Sequence, residues 1–260
     1  MENISIVPFV HYRRMETAAR LRSNKPDSVV RSAWDGGRRS HAFCRFGRLC
    51  RTLDGVLQRR ATTLSLLAFV LVSTAVKLNL LVPFDAAAEA WVRQQITPFR
   101  TALMFTLTRL ASGRFVSGMT ALLAGALALR KSGYRLARLA LSVPGCMLLN
   151  EVLRYLFHRT PPGIAHPLLK LQPCSFPSGH AVEATVLYGF VAILLWAYIA
   201  SKVWRVLIST AIVAAIPGVG FSRIYLGAHY PTDVLAGVPE GVAWLNFAAM
   251  ITNRHRFATT

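Results

Sequence analysis

A chain of 260 residues that is 53% hydrophobic yet carries a formal net charge of +19 does not have the composition of an ordinary soluble domain. Several membrane spans joined by basic loops reconcile the two properties. Such a charge also suits nucleic acid, but the apolar runs require lipid and charge asymmetry across a bilayer absorbs the excess, so no nucleic-acid partner is expected.

Residues 1–61 are rich in Lys and Arg, with only Glu2, Glu16, Asp27, Asp35 and Asp54 against them, and show little sustained periodicity. This is the pattern of a mostly disordered basic arm drawn to anionic lipid headgroups. An Arg-rich, acid-poor start is also the pattern of an organelle transit peptide. The first long apolar run begins too late for a cleavable secretory signal.

A bilayer core takes about 20 apolar residues per helix. Six runs meet or approach that need: 62–81, 113–129, 139–157, 180–200, 203–221 and 233–251. The expected fold is therefore all-α, a six-span transmembrane bundle over 62–252 with a short cytoplasmic tail at 253–260. Arg109 and Arg114 blur the upstream end of the second run. The third carries Asn150, Glu151 and Arg154 toward its end, and ionisable groups inside a span default to functional hypotheses. Glu151 is placed to pair with an arginine or a neighbouring span, Glu183 to face the start of the fourth span, and Glu240 has no evident partner. His158, His166 and His255 read as interfacial residues. Cys44, Cys50, Cys146 and Cys174 form neither a four-ligand metal spacing nor a disulfide framework, and no metal or cofactor is expected.

Lys and Arg placement puts the N-terminus in the cytoplasm. The inner side then holds Arg130, Lys131, Arg135, Arg138, Lys202, Arg205, Arg254 and Arg256. Trp196, Tyr198 and Trp204 mark that inner boundary as interfacial anchors do. The outer side holds Arg93, Arg100, Arg109, Arg114, Arg154, Arg159, Lys170 and Arg223.

Two outer stretches carry the chemistry. Ser175-Phe176-Pro177-Ser178-Gly179-His180 makes a tight turn into the fourth span. A helix start there offers free N–H donors and the positive end of a dipole to an anion, with His180 beside them to exchange a proton. Between the fifth and sixth spans, Ser222 to Asp233 contains Arg223 and His229, and Pro231 suits the first helical turn. Pro231 keeps Tyr230 out of helical geometry. The turn still brings the Asp233 carboxylate toward the His229 imidazole, where it would fix the tautomer and support a developing cation. Asp233 also suits a helix cap.

These residues resemble those of the type 2 phosphatidic acid phosphatases, marked by Lys-x6-Arg-Pro, Pro-Ser-Gly-His and Ser-Arg-x5-His-x3-Asp. The second motif is complete at Pro177 to His180, and the third at Ser222, Arg223, His229 and Asp233. The first departs: aligned on Pro162, its Lys falls on Arg154, which differs in donor geometry, and its Arg falls on Pro161. Arg159, two residues before, is a candidate substitute. One missing charge-assisted bond to phosphate costs about 1.5–3 kcal/mol.

The resemblance implies metal-independent hydrolysis of a lipid phosphate monoester or diphosphate. His229 would be the nucleophile, Asp233 its orienter and His180 the acid and then the base. Arg154, Arg159, Arg223, Ser178 and Gly179 would hold the phosphate. It also implies membrane lipids as partners and an outer-side site, periplasmic if the membrane is a bacterial inner one. The competing readings are a non-catalytic lipid-binding protein, motivated by Pro161, and a vanadate-dependent haloperoxidase, which shares the site type but not the spans.

Overall fold

The computed structural model describes the backbone of residues 36–163 and 172–258, and side chains over 55–163 and 172–253. The expectations for residues 1–35, His166 and Lys170 lie outside the described residues, as do the side chains of Cys44, Cys50, Arg254, His255 and Arg256.

Every described element is helical. The order is α1 (Gly36–Lys77), α2 (Val82–Gln94), α3 (Pro98–Arg109), α4 (Gly113–Leu129), α5 (Gly133–Phe157), α6 (Gly179–Tyr198), α7 (Lys202–Tyr225) and α8 (Pro231–Ala258). The chain divides into two units, 1–53 and 54–260. In the first, the described backbone is helical from Gly36.

In the second unit, five helical stretches are long and apolar enough to cross a membrane. They are Gly55–Lys77, Gly133–Phe157, Gly179–Tyr198, Lys202–Tyr225 and Pro231–Asn253. A sixth candidate crossing is the pair α3 and α4, which passes the same test only together and is bent by 40° at a short break, the form of a broken span or a re-entrant loop. The break explains the uncertain start of the second predicted run. Ser112 caps α4 by accepting from the Phe115 N–H at 3.4 Å, and Arg109 and Arg114 flank that joint.

Helix α2 was not expected from the sequence. It follows Leu81 with Pro83 in its first turn and Asp85 just behind. Its Trp91 and Phe84 are exposed while Val92 and Asp85 are buried.

The bundle is built around α6 and α8. Half of the most apolar stretch of α8 is buried, against 6% for α1, whose Leu64, Leu67, Val70 and Leu71 face outward as lipid-facing residues do. Glycine permits the close α6–α8 approach. A Cβ at Gly237 would lie 2.9 Å from the Ser178 carbonyl oxygen, and one at Gly241 2.8 Å from the Thr185 Cβ. Small residues allow such backbone approach where lipid supplies no hydrophobic drive between helices.

At one end of the bundle, the α4–α5 and α6–α7 turns meet. The Arg135 guanidinium donates to the Tyr198 hydroxyl, Arg130 lies over the Tyr198 ring at 5.0 Å and Arg205 over Trp196 at 5.9 Å. This is the cluster of basic and aromatic residues expected at a headgroup boundary. The two sequence motifs lie at the opposite end, where α5 and α7 finish and α6 and α8 begin.

Candidate active site

The turn into α6 is pinned from two sides. The Ser175 N–H donates to the Arg159 carbonyl at 2.7 Å, and the Ser178 N–H to the Asp233 carbonyl at 3.1 Å. Phe176 is fully buried and packs on the Phe157 ring with centroids 4.6 Å apart. So clamped, Ser178 becomes the residue before α6, but its side chain makes no cap hydrogen bond. The N–H groups of the first helical turn therefore have no in-helix acceptor, and the Ser178 hydroxyl is buried with no partner. A Cβ at Gly179 would stand 3.3 Å from the Asn150 side-chain oxygen and 3.8 Å from an Arg154 nitrogen, so the glycine lets that arginine close on the helix start.

The α7–α8 link turns at Gly227, whose φ of 69° is a left-handed conformation that glycine adopts without strain. The Ala228 N–H then donates back to the Arg223 carbonyl at 2.9 Å. This folds His229 over the end of α7, buried at 5% exposure. Its Nδ1 is 2.8 Å from the Ser175 carbonyl oxygen and 3.5 Å from an Asp233 carboxylate oxygen. A carbonyl only accepts, so Nδ1 carries the proton and Nε2 keeps its lone pair. The sequence assigned that tautomer to Asp233; in the structure the Ser175 carbonyl is the nearer acceptor, and the carboxylate at 3.5 Å adds a longer contact and its charge. Burial lowers the His229 pKa from its ordinary 6.5. Asp233 opposes this, and Arg223 and Arg154 add to it.

Arg154 and Arg223 are each 7% exposed, and together with His180 and His229 they form one electrostatically coupled cluster. Arg154 donates to the Cys174 carbonyl at 2.6 Å and to Glu151 at 3.1 Å, so the expected Glu151 pairing is with its own helix neighbour. One Arg223 nitrogen donates to the Thr108 hydroxyl at 3.0 Å at the end of α3, while its Nε is buried and unpartnered. Glu183, one turn below His180, is coupled to Arg154 and Arg223, and one of its oxygens is buried and unpartnered. Glu240 does have a partner: the Asn150 amide donates to its carboxylate at 3.2 Å.

Arg159 is not arranged as the sequence suggested. One nitrogen donates to Asp233 at 2.6 Å and to the Thr232 hydroxyl at 2.7 Å, and the other to Asp85 at 2.7 Å. Its guanidinium lies over the Tyr230 ring, 4.1 Å from the centroid. Two carboxylates occupy its fork, so in this structure Arg159 is arranged with Asp233 and Asp85. Burial acts to lower the Arg159 pKa, but Asp233 and Asp85 outweigh it and hold the group above its ordinary value. Pro161 brings no side-chain donor.

The matching family model is that of the PAP2 superfamily, over residues 135–257. Phosphatidylglycerophosphatase B of Bacillus subtilis is 33% identical over 184 residues, covering 68% of this chain and 87% of that protein. The chain belongs to the PAP2 superfamily. A solved transmembrane PAP2-type phosphatidylglycerolphosphate phosphatase from Bacillus subtilis superposes with a TM-score of 0.68 at 27% identity, covering 74% of this chain and 96% of that one. An undecaprenyl-diphosphatase of Sulfolobus acidocaldarius is 31% identical over 121 residues, 43% of this chain and 52% of that protein. The chain is thus a multi-pass membrane protein of a lipid phosphatase family, and the all-helical fold and membership expected from the two motifs both hold.

Proposed function

We propose that the chain hydrolyses a phosphate monoester or diphosphate carried by a membrane lipid, through a phosphohistidine on His229. The observation that carries this reading is the state of His229: Nδ1 is committed to the Ser175 carbonyl at 2.8 Å, so the free electron pair of the ring is at Nε2. Its lowered pKa keeps that nitrogen unprotonated near neutral pH. Nε2 attacks phosphorus, and the Asp233 carboxylate at 3.5 Å stabilises the positive charge that develops on the ring. His180 gives a proton to the departing oxygen and then takes one from the water that cleaves the phosphorus–nitrogen bond.

Arg154, Arg223, the Ser178 hydroxyl and the first N–H groups of α6 hold the phosphate oxygens. The unpartnered Ser178 hydroxyl and Arg223 Nε support that assignment, because buried donors without acceptors are costly unless a ligand supplies one. Metal independence fits a cradle in which the guanidinium charges of Arg154 and Arg223 do the neutralising.

A lipid substrate fits the surroundings. A groove of about 460 Å³ between α1 and α5 is lined by Phe69, Val70, Leu156 and Phe157 with Lys77 at its edge. Phe157 also packs against the phosphate turn, so an acyl or polyprenyl chain in the groove leaves its phosphate beside α6. The Lys and Arg distribution supports a site on the outer face with the N-terminus inside; in a bacterial inner membrane the site would be periplasmic. The chemistry accommodates phosphatidate, phosphatidylglycerophosphate or a polyprenyl diphosphate.

Phosphate release from these three lipids in detergent, with and without chelator, tests the proposal on wild type and His229→Ala. Chelator-indifferent release that vanishes in the variant is expected. A wild type inert toward all three would make the loss of the motif arginine at Pro161 decisive and favour a binding role.

A further inference from the structure

We infer that Asp85, on α2, is a positioning residue for phosphoryl transfer, holding the Asp233 carboxylate against His229 through Arg159 and Thr232. The inference rests on the reading of His229 as nucleophile, and extends it to a helix that neither sequence motif touches.

Asp85 is 2% exposed and both its oxygens are used. One accepts from the Thr232 N–H at 3.1 Å. The other accepts from the Thr232 hydroxyl at 2.7 Å and from Arg159 at 2.7 Å. Thr232 directly precedes Asp233 in the first turn of α8. A residue of α2 therefore caps the helix that carries Asp233, from 147 positions away in the sequence. The Thr232 hydroxyl has one proton, given to Asp85, so toward Arg159 it acts as acceptor. The result is a closed ring of Asp85, Thr232 and Arg159, from which the arginine nitrogen that donates to Thr232 also reaches Asp233 at 2.6 Å. The second Asp233 oxygen accepts the Tyr230 N–H at 2.9 Å, and the Tyr230 ring lies under the same guanidinium. One oxygen of Asp233 is thus fixed by the arginine that Asp85 holds, and the other by the Tyr230 N–H.

Charge makes this more than a staple. Arg159 divides its positive charge between two carboxylates, leaving the three groups together with one net negative charge facing His229. Remove the Asp85 charge, and the guanidinium pulls on Asp233 alone while the field at His229 becomes more positive. The other charged or titratable groups around His229 are Arg223 on α7, Arg154 on α5 and His180 on α6. Glu89 on α2 is coupled to Asp85, Arg159 and Asp233. None of these changes in the substitution, so the shift is assignable to Asp85.

The test compares wild type, Asp85→Asn and Thr232→Val, full length in detergent, on whichever lipid of the three the wild type cleaves fastest. Asp85→Asn should lower kcat by about tenfold or more, as loss of a group orienting a reactive histidine does. KM should stay within about twofold, since no phosphate contact is removed. The acid limb of kcat/KM should move to lower pH, because a more positive field disfavours the imidazolium. A purely structural Asp85 would lower thermal stability and leave that limb in place. Thr232→Val keeps every charge and breaks only the hydroxyl bridge, so it serves where Asp85→Asn fails to fold; a kcat loss of about threefold or more is expected. Unchanged kcat and acid limb in folded Asp85→Asn, or unchanged kcat in Thr232→Val, overturns the inference alone. An inert wild type overturns the phosphatase reading as well.

Discussion

Asp233→Asn separates two things a carboxylate can do for a histidine, and the structure gives them different weights. The Ser175 carbonyl already binds Nδ1–H at 2.8 Å, so the substitution leaves the ring in its productive tautomer. What is lost is a negative charge 3.5 Å from the imidazole, worth about 5 kcal/mol toward a full cation at an effective dielectric constant near 20. If the transition state carries roughly half the final charge, the barrier rises by about 2.5 kcal/mol, or roughly 70-fold in kcat. Where the aspartate alone holds the tautomer, the same substitution costs about 10⁴-fold. Initial rates of phosphate release at saturating lipid, with thermal unfolding to confirm the fold, measure the difference. A loss near 10⁴-fold would refute the role given to the Ser175 carbonyl. A loss under about threefold would remove Asp233 from the chemistry.

Because burial lowers the His229 pKa from 6.5, the nucleophile is neutral at pH 7 and is lost by protonation as pH falls through the lowered value. The acid limb of kcat/KM should therefore lie below 6.5, and a limb above pH 7 contradicts the burial seen for this ring. Gly237→Ala puts a Cβ 2.9 Å from the Ser178 carbonyl, so α6 and α8 must separate; a stability loss of about 1–3 kcal/mol is expected, with slower turnover, and an unchanged Tm would disprove the close contact. Glu240→Gln keeps a partner for Asn150 and should be nearly silent. Glu240→Leu strands the Asn150 amide and should cost about 1–3 kcal/mol in detergent unfolding; equal effects from the two variants would show that the hydrogen bond does not matter.

The spans and the two motifs were legible because each is local: an apolar run of bilayer length, or a few residues in a fixed order at a helix start. Long-range pairing was not. Asn150 and Glu240 are 90 positions apart, and nothing in either span names the other. Arg159 read as a candidate phosphate ligand because it lies two residues before Pro161, where the family motif has its arginine. Its contacts with Asp85 and Asp233 became visible only when α2 brought Asp85 against α8. The signal for α2 was faint but present, a proline and an acid together at the head of a short amphipathic stretch. The bent α3–α4 crossing was half seen, since Arg100 and Arg109 depress the apparent apolarity of α3. The tautomer of His229 depends on a main-chain carbonyl at position 175, and a backbone atom leaves no mark in a sequence.

The central claim is a covalent bond between phosphorus and the free nitrogen of His229. Rapid quenching into alkali during turnover of a lipid labelled with radioactive phosphate tests it most directly, because a phosphoramidate on histidine survives base and is lost in acid. The account predicts a base-stable, acid-labile label on wild-type protein, mapped to the peptide containing His229 and absent from His229→Ala. Phosphate release by His229→Ala, or turnover by wild type with label on another residue, would contradict it.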